Sequence, residues 1–105
     1  MPLPSSKLAG FQRRYLRGLA NPRKALVQIG EGGLSAGVMT ALESALSNHE
    51  LVKVRLREPE DKKATARELA EKTGAELCGL VGHTVILYRP NPDEPRIELP
   101  QRAEA

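Results

Sequence analysis

Ala25-Leu26-Val27-Gln28-Ile29-Gly30-Glu31-Gly32-Gly33-Leu34-Ser35 is the stretch on which the fold turns. A short β-prone run, Ala25 to Ile29, breaks at a cluster of glycines, and Ser35 stands where an N-cap would open a helix. Beyond it, Val38, Met39, Ala41, Leu42, Ala45 and Leu46 recur at helical spacing along one broad face. Leu34 and Met39 occupy the two positions of a hydrophobic staple. Asn48 suits a left-handed residue that closes the helix. The next run, Leu51 to Arg57, alternates, with Val52, Val54 and Leu56 on one side and Lys53, Arg55 and Arg57 on the other. Strand, helix and strand in this order form a β-α-β unit with a right-handed crossover.

Working outward, residues 6–20 place Leu8, Phe11, Tyr15, Leu16 and Leu19 at helical spacing, after Ser5 or Ser6 as N-cap and before an Asn21-Pro22 stop. At about 100° per residue, Lys7, Arg13, Arg14 and Arg17 project from the side opposite that apolar stripe. Downstream, Pro59-Glu60-Asp61 opens a third helix that runs through Thr73 and closes at Gly74. Ala75 to Val81 and Thr84 to Tyr88 are two β-rich runs flanking Gly82-His83, whose glycine fits the first central position of a type II′ turn. The order αβαβαββ predicts an α/β two-layer fold, a four-stranded mixed sheet with helices largely on one face.

A chain of 105 residues has room for one core, and 40% hydrophobic residues separate it from disordered chains. Six of the eight prolines lie at the ends, which puts the folded body at roughly residues 5–90. The proline-rich segment 91–105 should run extended over the surface or be mobile, with Ile97 and Leu99 able to dock. No apolar run is long enough to cross a bilayer, and no signal-peptide core is present, so a cytoplasmic address is expected and no membrane partner.

A single cysteine, Cys78, excludes an internal disulfide and a cysteine-built metal site, and with only His49 and His83 besides, neither metal nor cofactor is expected. Phe11, Tyr15 and Tyr88 are the only aromatic residues, too few for a sheet face that stacks several bases. Charge is unevenly spread. Residues 1–24 carry Lys7, Arg13, Arg14, Arg17, Arg23 and Lys24 and no acid, a charge of +6, which leaves −3 on residues 25–105 in a chain of net +3. Such a segment suits a polyanionic partner.

Gly30-Glu31-Gly32-Gly33 joins a strand to a helix N-terminus, where free amides and the helix dipole favour an anion and glycine lets a phosphate approach the backbone. The spacing Gly30-x-x-Gly33 is that of the loop by which KH-type modules clamp nucleic-acid backbone. Simple turn chemistry explains the same glycines. A Walker loop and a dinucleotide fingerprint are both excluded, because Gly-Lys-Ser/Thr is missing and Ser35 stands where the third fingerprint glycine belongs.

The blocks Arg17-Gly18-Leu19-Ala20, Ala25 to Ser35, Ala45-Leu46, His49 to Val54, Thr73-Gly74-Ala75, Gly82 to Pro90 and Ile97 to Pro100 together resemble the CRM domain, the RNA-splicing and ribosome-maturation domain, in its stand-alone bacterial YhbY-like form. The resemblance covers nearly the whole chain. It implies a fold similar to the C-terminal domain of translation initiation factor three and one RNA-binding domain over residues 1–90. Its family loop falls on Gly30, Glu31, Gly32 and Gly33, and the basic surroundings on Arg23, Lys24 and the arginines of the first helix. Glu31 departs from relatives that carry a basic or neutral residue there. Its carboxylate either points away from a bound phosphate or weakens the loop's contribution.

The resemblance and the charge pattern together predict an RNA-binding accessory factor, monomeric and without enzymatic activity, on ribosomal RNA in precursors of the large subunit. The expected contacts are Gly30, Glu31, Gly32, Gly33, Arg13, Arg14, Arg17, Arg23, Lys24, Lys53, Arg55, Arg57 and Arg89. The alternative is a scaffolding module that docks on ribosomal or acidic proteins without touching RNA. His49-Glu50 is the only adjacent acid/base pair and sits at a helix-to-strand junction suited to local hydrogen bonding. Cys78 reads as a small buried thiol, and Tyr88 as a core cap with its hydroxyl outward.

Overall fold

A computed structural model of the chain describes residues 8–30 and 33–101. Lys7, the Ser5 and Ser6 caps, Glu31 and Gly32 lie outside the described residues. The elements are α1 (Gly10–Ala20), β1 (Val27–Ile29), α2 (Ala36–Asn48), β2 (Leu51–Leu56), α3 (Lys62–Thr73), β3 (Glu76–Val81) and β4 (Thr84–Tyr88). The strands form one sheet in the order β1-β2-β4-β3, with β1 and β2 parallel and the other pairs antiparallel. The β-α-β unit and the closing hairpin follow the expected order. Gly82 has φ +60° and His83 does not share the left-handed region, consistent with the type II′ geometry.

Local chemistry sets the helix ends. Ser35 Oγ accepts the Val38 N–H at 3.2 Å, and Asp61 Oδ1 accepts the Ala64 N–H at 3.1 Å. Gly74, at φ +69°, closes α3 in the left-handed conformation. Two expected ends move. α1 starts at Gly10, not near Ser6, because Ala9 is its N-cap residue and Gln12 Oε1 accepts the Ala9 N–H at 3.0 Å. α2 has no left-handed residue at Asn48, because the chain leaves through His49 in extended conformation and enters β2 two residues later.

The fold is the expected α/β one, and the helices divide unevenly between the faces of the sheet. α2 and α3 cover one face, where Leu42, Leu46, Ala66 and Leu69 meet Val52, Val54, Leu56, Val85 and Leu87. α1 covers part of the other, where Leu16 and Ala20 meet Leu51, Cys78, Ile86 and Tyr88. Val85 to Tyr88 are all buried, and a strand apolar on both sides needs cover on both. Tyr15, placed on the apolar stripe by spacing, stays 41% exposed, since the face of α1 centred on Leu16 and Ala20 is the one that packs. A register shift between Leu77 and Gly79 makes Cys78 an extra residue in β3, and its carbonyl accepts Arg17 Nη1 at 2.7 Å.

Beyond β4 the tail is held against the body as far as Pro100. Ile97 and Leu99 pack on the α1 cluster. Gln12 Nε2 donates to the Pro100 carbonyl at 3.2 Å.

Candidate nucleic-acid interface

Residues i and i+2 of a strand share a face, so Lys53 and Arg55 of β2 lie on the face that α1 covers only in part. Lys53 pairs across the sheet with Ile86, and Arg55 with Thr84 and Gln28. A groove between α1 and this sheet face is lined by Arg14, Arg17, Lys53, Thr84 and Val81. Three cations separated by up to 39 positions in sequence thus line one depression. Arg55, the cross-strand partner of Thr84, extends the positive surface onto the uncovered sheet.

Each cation is set differently. Arg17 lies along Gly79, where a Cβ would come within 2.5 Å of its Cδ, and donates to the bulge carbonyl of Cys78. Lys53 Nζ donates to the carbonyls of Arg23 at 3.0 Å and Asn21 at 3.4 Å, tying the Asn21-Pro22-Arg23 turn to the sheet. With five guanidinium and three ammonium protons available, both keep donors free for a ligand. Arg14 and Arg55 are exposed, and their side chains bond to no described residue. Lys53 also borders a second cleft with Arg23, Lys24 and His49, in which Arg23 Nη1 donates to the Leu51 carbonyl at 3.4 Å.

The glycine loop leaves the end of β1. The Gly33 N–H donates to the Gly30 carbonyl at 3.1 Å, and Gly33 has φ +66°, a conformation that favours glycine. Gly30 has no such need: its φ is not positive, and a Cβ would meet open space. The groove beside the loop on the α3 side is acidic, lined by Glu58, Glu60, Asp61 and Glu68 with Arg57 among them. Arg57 therefore stands apart from Lys53 and Arg55, because β2 ends at Leu56 and the chain turns there.

Two further expected contacts have internal partners. Arg13 Nη1 donates to the Leu8 carbonyl, so the basic face of α1 is not a uniformly solvated stripe. Arg89 Nη1 donates to both oxygens of Glu43, at 2.9 and 3.1 Å, and to the Thr73 carbonyl at 2.9 Å. It ties β4 to α2 and α3 and is not aligned with the α1 groove. Tyr88 is buried, and its hydroxyl is pushed up by burial, then by the Glu50 and Cys78 charges. Burial and the Glu76 charge push the Cys78 thiol up to about 12 against the opposing pull of Arg13 and Arg17. That leaves it without a thiolate's reactivity.

Glu50 is the residue whose role sequence spacing showed least. Its buried carboxylate accepts the N–H groups of Asn91 at 2.6 Å, Ile97 at 2.7 Å and Arg96 at 2.8 Å. Burial alone would raise its pKa, but these three bonds and the Arg96 charge outweigh it and hold the carboxyl below its ordinary value. Among the described residues no group of three or more His, Cys, Asp and Glu could hold a metal ion, and no helix is long and apolar enough to cross a membrane.

Residues 8–89 match the family model of the CRS1/YhbY (CRM) domain. The chain is 36% identical over 97 residues to an RNA-binding protein of Haemophilus influenzae, covering 90% of this chain and 97% of that one. It is 33% identical over 95 residues to YqeI of Bacillus subtilis, named a probable RNA-binding protein, covering 89% and 99%. The solution structure of the hypothetical protein SAV1595 from Staphylococcus aureus superposes with a TM-score of 0.78 at 38% identity, covering 89% of this chain and 99% of that one.

Proposed function

Because this chain belongs to the CRS1/YhbY (CRM) domain family, we propose that it binds RNA, and that it does so along the groove between α1 and the sheet. The observation that carries this reading is the convergence of Arg14, Arg17 and Lys53 on one depression, with Arg55 beside it. Phosphates sit against these cations, and Arg23 and Lys24 extend the track past Lys53. Only three residues are aromatic and Tyr88 among them is buried, so recognition works through phosphate contacts and RNA shape instead of stacked bases. Gly30 offers an unobstructed backbone at the end of β1. The acids on the α3 side repel a polyanion, so the RNA leaves the loop toward Arg55 and not toward Arg57. Arg13 and Arg89 are left out of the track, since neither lines the groove or the cleft that continues it.

The RNA we propose is ribosomal, in precursors of the large subunit, with the protein as an accessory factor of assembly. Gradient sedimentation of cell extract tests this: the protein should travel with immature large subunits, and an Arg14→Glu/Arg55→Glu variant that folds normally should not. Free migration of the unaltered protein contradicts the ribosomal assignment. Binding to ribosomal particles but not to protein-free ribosomal RNA fragments would replace RNA contact with docking on ribosomal proteins.

A further inference from the structure

We infer that residues 90–101 form a strap that seats α1, and that Glu50 is the positioning residue that fastens it. The strap lies beyond the residues that match the family model. Its consequence for RNA rests on the function proposed above, whereas the fastening itself does not.

Backbone accounting separates this segment from a loose tail. Between Asn91 and Ile97, Pro92 and Pro95 have no N–H to satisfy. Glu50 takes those of Asn91, Arg96 and Ile97. The Asn91 side chain takes those of Asp93 and Glu94, at 2.9 and 3.0 Å. Every backbone donor of 91–97 is therefore bonded, although the segment contains neither helix nor strand. One buried carboxylate makes three of the five bonds, and bonds to an ionised acceptor are the stronger kind.

The strap's other end reaches α1. That helix buries only Leu16 and Ala20 fully, a narrow footing for eleven residues. Leu8 and Leu19, partly buried at the same cluster, are joined there by Ile97 and Leu99. Gln12 couples the two directly, because its carbonyl caps Ala9 at the start of α1 while its amide nitrogen donates to Pro100. Loosening the strap thus removes apolar cover and a tether from the helix that carries Arg14 and Arg17, without altering either arginine.

The test uses the full chain with Glu50→Ala, Glu50→Gln and the paired change Ile97→Ser/Leu99→Ser. Glu50→Gln keeps an oxygen for Arg96 and Ile97 and loses the acceptor for Asn91, so its effects should be intermediate. Amide hydrogen exchange without RNA should show α1 exchanging at least about tenfold faster in the paired variant while β2 and β4 keep their protection. RNA affinity should then fall less steeply with salt, the log–log slope shrinking by about 1.4 as two arginines lose single-strand phosphates. A variant merely part-unfolded would bind less without changing that slope. Strap amides exchanging freely while α1 stays protected would overturn the inference. Loss of α1 protection in a protein that binds no RNA would sustain the fastening and refute the RNA reading instead.

Discussion

Gly79→Ala should destabilise the protein through Arg17 alone. A Cβ at position 79 falls 2.5 Å from Arg17 Cδ and 3.0 Å from Cγ, contacts in the middle of the side chain that no rotation of its end relieves. Arg17 must lift away, and the 2.7 Å bond from Nη1 to the Cys78 carbonyl goes with it. A hydrogen bond from a charged donor contributes about 1.5–3 kcal/mol, and replacing glycine within a strand returns about 0.5–1 kcal/mol. The net loss is about 1–2 kcal/mol, a fall in Tm of roughly 5–9 °C for a domain of this size. Thermal unfolding followed by circular dichroism measures it, and a cycle with Arg17→Ala assigns the cause. In that background the atoms left around the new methyl lie no closer than 3.8 Å, an ordinary contact, so Gly79→Ala should be neutral or slightly stabilising, and the coupling at least about 1 kcal/mol. Equal losses in both backgrounds, or a Gly79→Ala protein that melts with the wild type, would refute the reasoning.

The two ends of the glycine loop should separate fold from ligand. Gly33→Ala, at φ +66°, costs about 1–2 kcal/mol by chemical denaturation, whereas Gly30→Ala should leave stability unchanged or raise it by up to about 1 kcal/mol while weakening RNA binding in a fluorescence anisotropy titration. Arg89→Ala should lower stability by about 1–2 kcal/mol through loss of its Glu43 and Thr73 contacts, discounted for the half-exposed Glu43, with RNA affinity unchanged. Glu50 has a lowered pKa in the fold, so its stabilisation is complete above the unfolded value near 4.5 and is lost as pH falls through the lower folded value. The charged and titratable groups facing it are Arg96 and the Tyr88 hydroxyl. Urea midpoints measured from about pH 6 to about pH 3 should therefore fall more steeply in the wild type than in Glu50→Gln.

Periodicity sufficed for the element order because α2, α3 and the hairpin carry their own start, stop and turn signals in Ser35, Asp61, Gly74 and Gly82. It did not place α1, whose position depends on the second apolar side of β4. The signal was present in Val85-Ile86-Leu87-Tyr88, an unbroken apolar run that marks a strand covered twice. Charge spacing found the cations of the groove but could not sort them. Arg13, Arg14 and Arg17 look alike on a helical projection, yet Arg13 turns back to the Leu8 carbonyl just ahead of the helix and tertiary packing gives Arg17 the bulge at Cys78. Arg57 and Arg89 failed to join the groove for the same reason, one lying past a strand end and the other bonded to Glu43. Glu50 showed in the sequence only as an acid at a helix-to-strand junction, because its three donors lie more than 40 residues away.

The salt dependence of binding to a protein-free ribosomal RNA fragment tests the groove most directly. With about five phosphates neutralised, log affinity should fall against log salt with a slope near −3.5 for single-stranded RNA, and Arg14→Gln/Arg55→Gln should make it shallower by about 1.4. A wild-type slope shallower than about −1, or one those two substitutions leave unchanged, would contradict an RNA track between α1 and the sheet.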